Sequence, residues 1–112
     1  MAIPVGSPRA VAADADLIPE GEATTGLKAV HDARFYARKA VTIYPRSGTP
    51  TFSVDILTAT IDADAAFTVL SDGTTVAAAK TVTIPEGHTH IRVRVNSLTG
   101  GTVGARLACQ QG

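Results

Sequence analysis

From residue 33 onward, apolar and polar residues alternate in short runs. In the stretch Phe35-Ala37-Lys39-Val41-Ile43 the odd positions are mostly apolar, and Arg38 and Thr42 fall on the other face. Phe52, Val54 and Ile56 alternate with Ser53 and Asp55, and Phe67 and Val69 flank Thr68. Val82 and Ile84 alternate with threonines; Ile91, Val93 and Val95 alternate with His90, Arg92, Arg94 and Asn96; Val103, Ala105, Leu107 and Cys109 share a face. A period of two puts alternate side chains on opposite faces of a strand, so each run reads as half-buried β structure. Turn chemistry separates the runs: Pro45-Arg46-Ser47-Gly48-Thr49-Pro50, the hairpin signal Asp72-Gly73, Pro85-Glu86-Gly87 and Thr99-Gly100-Gly101. Short strands at a spacing of about 8–12 residues predict an all-β chain, an antiparallel β-sandwich or small barrel of about seven to eight strands. Fifteen threonines and eleven valines agree. The alanine-rich stretches 58–66 and 76–80 have room for a helical turn but are too short for a helix.

Residues 1–28 lack this pattern. They hold Pro4, Pro8, Pro19, Gly6, Gly21 and Gly26, no aromatic residue, and apolar positions that are mostly alanine without a sustained period. The alanines favour a helical turn over residues 11–17, but Asp14 and Asp16 weaken it. The expectation is an extended N-terminal arm over 1–28 and a β-sandwich domain over 29–112. Fully stretched, the arm would reach on the order of 90 Å at ~3.3 Å per residue. An arm without its own core is either disordered or docked onto another surface, with Ile3, Val5, Val11 and Leu17 as its contact residues.

The length of 112 residues fits one domain. Such a chain buries about 60–70 % of its unfolded surface. Val, Ile, Leu and Phe make up 27 residues, enough to clear the composition of disorder. Zero net charge argues against a general nucleic-acid binder. A single cysteine excludes an internal disulfide framework, and nothing spaces like a zinc site. No apolar run approaches the ~20 residues of a membrane span, and no basic region precedes an apolar stretch at the N-terminus. The expectation is a protein that is cytosolic as made, or carried outward by something else, without membrane contact.

Charge is nevertheless blocked along the chain: net −3 over residues 1–32, +4 over 33–46, −4 over 47–72 and +3 over 73–112. If 89–97 and 102–110 pair across the Gly100-Gly101 turn, Arg106 sits opposite Arg94, or opposite Arg92 after a slip of two. Three guanidiniums then share one polar face. Like charges directly opposite are destabilising in a sheet, so an anionic group belongs over them. The alternatives are the protein's own carboxylates or water, an acidic surface of another chain, and a phosphate ligand. Arginine forks suit carboxylates. Arg34 and Arg38, from the basic block, join Arg92, Arg94 and Arg106 as candidate partner contacts.

Candidate chemistry is sparse. The pair His88-x-His90 could put two imidazoles on one side of a strand, but no third ligand is suggested and a solvent-exposed strand start accounts for it. Asp62-x-Asp64 with Asp72-Gly73 does not match the twelve-residue calcium loop and reads as turn carboxylates. There is no Gly-x-Ser-x-Gly elbow. Cys109 alternates with core residues and reads as a buried structural thiol. The five aromatics do not interleave with arginines as nucleic-acid stacking requires. The expectation is a non-enzymatic protein that uses no cofactor or metal.

Four motifs carry a resemblance: the Ser71-Asp72-Gly73-Thr74 turn, Thr-Val-Thr-Ile-Pro at 81–85, Ile-Arg-Val-Arg-Val at 91–95 and Leu-Thr-Gly-Gly-Thr-Val at 98–103. With them, residues 35–109 resemble small β-sandwich proteins of tailed-bacteriophage virions, the head decoration (cement) proteins and related head or tail accessory proteins. The resemblance implies a virion protein made in the host cytoplasm that binds the capsid exterior. Its implied partners are the major capsid protein and further copies of itself, a trimer being favoured, with the arm reaching over neighbouring subunits. The alternative is a carbohydrate- or host-surface-binding module of a tail or head fibre, with specificity in loops 45–50, 71–75 and 97–102.

Overall fold

The computed structural model describes residues 2–111. In chain order the strands are β1 (Ile3–Pro4), β2 (Ala12–Asp16), β3 (Gly26–Leu27), β4 (His31–Asp32), β5 (Arg38–Ala59), β6 (Thr68–Val69), β7 (Lys80–Ile84) and β8 (His90–Gln110), with 3-10 turns at Asp64–Ala66 and Ser71–Gly73. The chain is all-β, as the alternation implies.

Two strands organise the rest. β5 and β8 pair antiparallel along their whole length, from Arg38↔Gln110 to Ala59↔His90. A straight strand of 22 residues would run about 70 Å at ~3.3 Å per residue. The molecule's longest dimension is 39 Å, so the ribbon is bent back on itself. The bend lies at register shifts between Pro45 and Ser47, Gly48 and Thr51, and Ser53 and Val54, opposite Gly100 and Gly101. Gly48 (φ 68°) and Gly100 (φ 80°) take left-handed backbone there, and a Cβ on Gly101 would run into the Ser47 carbonyl oxygen.

The bend folds one eight-stranded sheet into two facing halves. The first half runs β7–β5–β8–β2; in the second, β8 carries β5 and then β6 on one side, and β4 with β1, and β3, on the other. Described pairs are antiparallel except β1 with β4. One core lies between the halves: Val41, Ile43, Val82, Ile84, Val103 and Leu107 from the first meet Val54, Ile56, Ile91, Val93 and Val95 from the second.

Two sequence expectations are corrected by this bend. Pro45–Pro50 and Thr99-Gly100-Gly101 do not reverse the chain; they kink strands that continue through them. Glycine and proline mark a break in regular pleating, and that break serves a turn or a bulge equally well. The Asp72-Gly73 hairpin is also absent. β6 and β7 do not pair with each other; the Ser71–Gly73 turn carries the chain from the distal part of β5 to its proximal part. Gly73 is required by close approach, since a Cβ there would sit 2.8 Å from Ile56 Cβ. The alanine-rich stretch 58–66 does contain one short turn, whereas Val76, in 76–80, forms an extended bridge with Val54.

Residues 2–28 are extended, but they lie on their own chain. β2 pairs with β8 from Ala12↔Gln110 to Asp16↔Arg106, and β3 with β8 at Leu27↔Arg94. The Leu17 N–H donates to the Ala105 carbonyl at 2.7 Å, and the Arg46 guanidinium donates to the Ile18 and Pro19 carbonyls, each at 3.0 Å. Val5, Leu17 and Ile18 are buried in the common core, so residues on both sides of position 28 share one interior. The proposed arm thus supplies part of the wall that closes the sandwich.

Burial predicts an unequal pair of effects. Leu17→Ala should lower stability by about 2–5 kcal/mol in a urea titration, because the cavity opens in a fully buried site. Val11→Ala, at a side chain 75 % exposed, should change it by less than about 0.5 kcal/mol. Equal small effects would mean that this segment is not part of the core.

Candidate interaction surface

β8 presents Arg92, Arg94 and Arg106 outward, and the bend places them on different halves of the sheet. Arg106 faces Thr42 and Asp16, not Arg94, because β8 continues through the glycines as one bent strand instead of reversing into a hairpin. The three guanidiniums therefore do not cluster, which corrects the pairing expected from a Gly100-Gly101 turn. Each has found carboxylates in its own chain. Arg106 donates to Asp14 Oδ2 at 2.8 Å and Asp16 Oδ1 at 3.2 Å, so the acidic segment over it is residues 12–16. This pair is exposed and salt-screened.

Arg92 is held more tightly. Its Nε and Nη2 donate to the Lys28 carbonyl at 2.9 and 2.7 Å, its Nη1 to Asp64 Oδ1 at 3.3 Å, and its guanidinium lies 5.4 Å from the centre of the Phe67 ring. Arg94 donates to Asp55 Oδ2 at 2.5 Å and to Asn96 Oδ1 at 3.1 Å. Asp55 is buried and also accepts the Thr75 N–H at 2.7 Å. That bond holds Thr75 at φ 47°, a left-handed conformation that a β-branched residue adopts only under constraint. Burial pushes the Asp55 carboxyl up, but the Thr75 N–H, Arg94 and Asn96 outweigh it and leave it below its ordinary value.

The cross-strand register puts further side chains on this outer face. Leu27 lies beside Arg94, and Leu57 lies between Arg92 and Val69. Leu27, 54 % exposed, thus borders Arg94, and Phe67 lies beneath Arg92, with Val69 beyond Leu57 at the edge of the same face. Leu27, Phe67 and Val69 were not singled out from the sequence. Leu27 sits in the aperiodic N-terminal segment, and only the pairing of β3 with β8 reveals its neighbours.

The remaining candidates are spread out. Arg34 is exposed and bound to Asp32 through both backbone and side chain. Arg38 is exposed at the start of β5, opposite Gln110, with no ion pair among the described residues. Ile3 and Val11 are exposed, but Val5 and Leu17 are not available to a partner: their side chains fill the chain's own core. His88 Nδ1 is hydrogen-bonded to Thr58 Oγ1 at 2.7 Å, and His90 Nδ1 to Thr89 Oγ1 at 2.7 Å, while His90 Nε2 lies 3.7 Å from Asp32. Among the described residues no group of three or more His, Cys, Asp or Glu is placed to hold a metal ion. Cys109 is buried and its thiol is pushed up to about 11 by that burial. Opposite it on β5, Lys39 is buried too, its Nζ donating to the Tyr36 carbonyl at 2.7 Å. Comparisons with protein-family models, with curated proteins and with solved structures return no match.

Burial lowers the affinity of His31 for protons below the usual histidine value of 6.5, despite the Ala29 carbonyl at 3.3 Å and the nearby Asp16. The unfolded chain then takes up a proton first, so stability is full above about pH 6.5 and falls as pH drops below it. Asp55 adds a second loss below about pH 3.8, as its depressed carboxyl is titrated. The urea midpoint of the native protein should therefore decline between pH 7 and 5, and His31→Gln should flatten that limb while leaving the more acidic one. A midpoint unchanged across the upper window would contradict the buried, neutral imidazole.

Proposed function

We propose that this chain is a non-enzymatic structural protein of a phage virion, which binds the outside of the capsid through the major capsid protein and stabilises the shell by adhesion. The observation that carries this reading is the outer face of the second half-sheet, where Leu27 lies beside Arg94 and Phe67 beneath Arg92, with Val69 one strand further out across Leu57. Arginine and aromatic side chains are enriched at protein interfaces, and exposed aliphatic side chains beside them add apolar area to bury. Both guanidiniums are already fixed by hydrogen bonds, so docking loses less side-chain freedom than it would with free arginines. The short motifs at 71–74, 81–85, 91–95 and 98–103 support the same direction by resemblance.

The mechanism is mass action. A protein that binds only the assembled shell stabilises it by RT ln(1 + [L]/Kd), and many equivalent sites on a closed shell multiply the effect. The N-terminal segment offers Leu27, Ile3 and Val11 to such contacts, since Val5, Leu17 and Ile18 face inward.

Co-sedimentation with assembled phage shells tests the reading. The protein should pellet with shells and raise their melting temperature. Leu27→Asp, at an exposed position, should weaken binding about tenfold or more, equivalent to ~1.4 kcal/mol, without lowering the protein's own melting temperature. No occupancy on shells, together with a selective hit on a glycan array, would replace this reading with surface-sugar recognition.

A further inference from the structure

The first half-sheet ends in two strands that each have one neighbour. β2 pairs with β8 and β7 with β5, and no further backbone hydrogen bond joins residues 12–16 or 80–84 to another strand among the described residues. Each strand therefore shows an open row of N–H and C=O groups, a template for one more strand. The two edges also match. Both are five residues long. β2 turns Ala13 and Ala15 toward the core and Asp14 and Asp16 outward; β7 turns Val82 and Ile84 inward and Thr81 and Thr83 outward.

We propose that β2 of one copy adds antiparallel to β7 of a second copy, extending the sheet from chain to chain. The pairing that keeps both faces in phase sets Asp14 beside Thr83, Ala15 beside Val82 and Asp16 beside Thr81. Threonine hydroxyls then face carboxylates that still have an acceptor free. Arg106 occupies Asp14 Oδ2 and Asp16 Oδ1, and the other oxygen of each is open to Thr83 and Thr81. A β2–β2 contact centred on Asp14 would instead oppose two carboxylates, which a sheet disfavours. The preferred contact joins unlike edges. It is heterologous, and copies add until a ring closes or a filament grows. This pairing stands apart from shell binding, which uses the outer face of the other half-sheet.

The test is the full chain carrying Asp14→Cys and Thr83→Cys together. Within one copy these positions end the row Thr83–Ala40–Ala108–Asp14, three strand spacings of ~4.8 Å, or about 14 Å apart. A disulfide needs Cα atoms within ~7 Å, so a 14–83 bond can form only between copies. Mild oxidation should give covalent multimers on a non-reducing gel with a 14–83 peptide. Equal mixtures of the two single variants should give a heterodimer, and light scattering of the unmodified chain should give a mass above its 11.5 kDa. A mass of one chain at every soluble concentration, or bonds joining 14 to 14 or 83 to 83 in preference, would overturn the proposal. The unmodified chain's mass decides the matter even if the double variant fails to fold.

Discussion

Everything in this fold depends on the bend in one ribbon. A β5–β8 pair that ran straight would expose both of its faces and have no interior. Bent at Gly48 and Gly100–Gly101, it turns one face of each half toward the other, and the valines and isoleucines of 41–56 and 91–107 become a single core. Three register shifts concentrate the curvature, and the glycines allow backbone to approach backbone where a Cβ would collide. The short strands β6 and β7 and the N-terminal segment then cover what the ribbon leaves open.

The N-terminal segment shows how little apolar material such a closure needs. Val5, Leu17 and Ile18 are its large buried side chains, and they join the common core. Hydrogen bonds from the backbone of Leu17 and from Arg46 to Ile18 and Pro19, together with the Asp14 and Asp16 bonds to Arg106, hold the strand in register. Lys28 does the same for the following loop, its buried amine reaching Glu22 and Thr24. The opposite charges of the first block and the later arginines are thus used within one subunit.

How much of this was legible in the sequence varied with the physics of each element. Alternation marked β7 and both halves of β5 and β8, because a buried face imposes period two on any strand. It did not reveal that each pair of runs was one strand, since a bulge glycine and a turn glycine look alike along the chain. Leu17 and Val5 were misplaced because isolated apolar residues among alanines have no period to read. Of the anionic groups expected over the arginines, the structure shows the chain's own carboxylates, each at its own arginine and not over a cluster. The arginines' separation onto two half-sheets, and the placing of Leu27 beside Arg94 and Phe67 beneath Arg92, depend on long-range pairing that composition does not encode.

The central claim is that residues 2–28 and the bent ribbon form one cooperative unit around a shared core. Native-state hydrogen exchange at the Leu17 amide, bonded to Ala105, tests it most directly against the Val41 amide in the middle of the first half-sheet. The account predicts that both amides exchange only through global unfolding, with the same opening free energy and the same dependence on denaturant. A Leu17 amide that exchanges at the rate of an unstructured peptide while Val41 stays protected would contradict it.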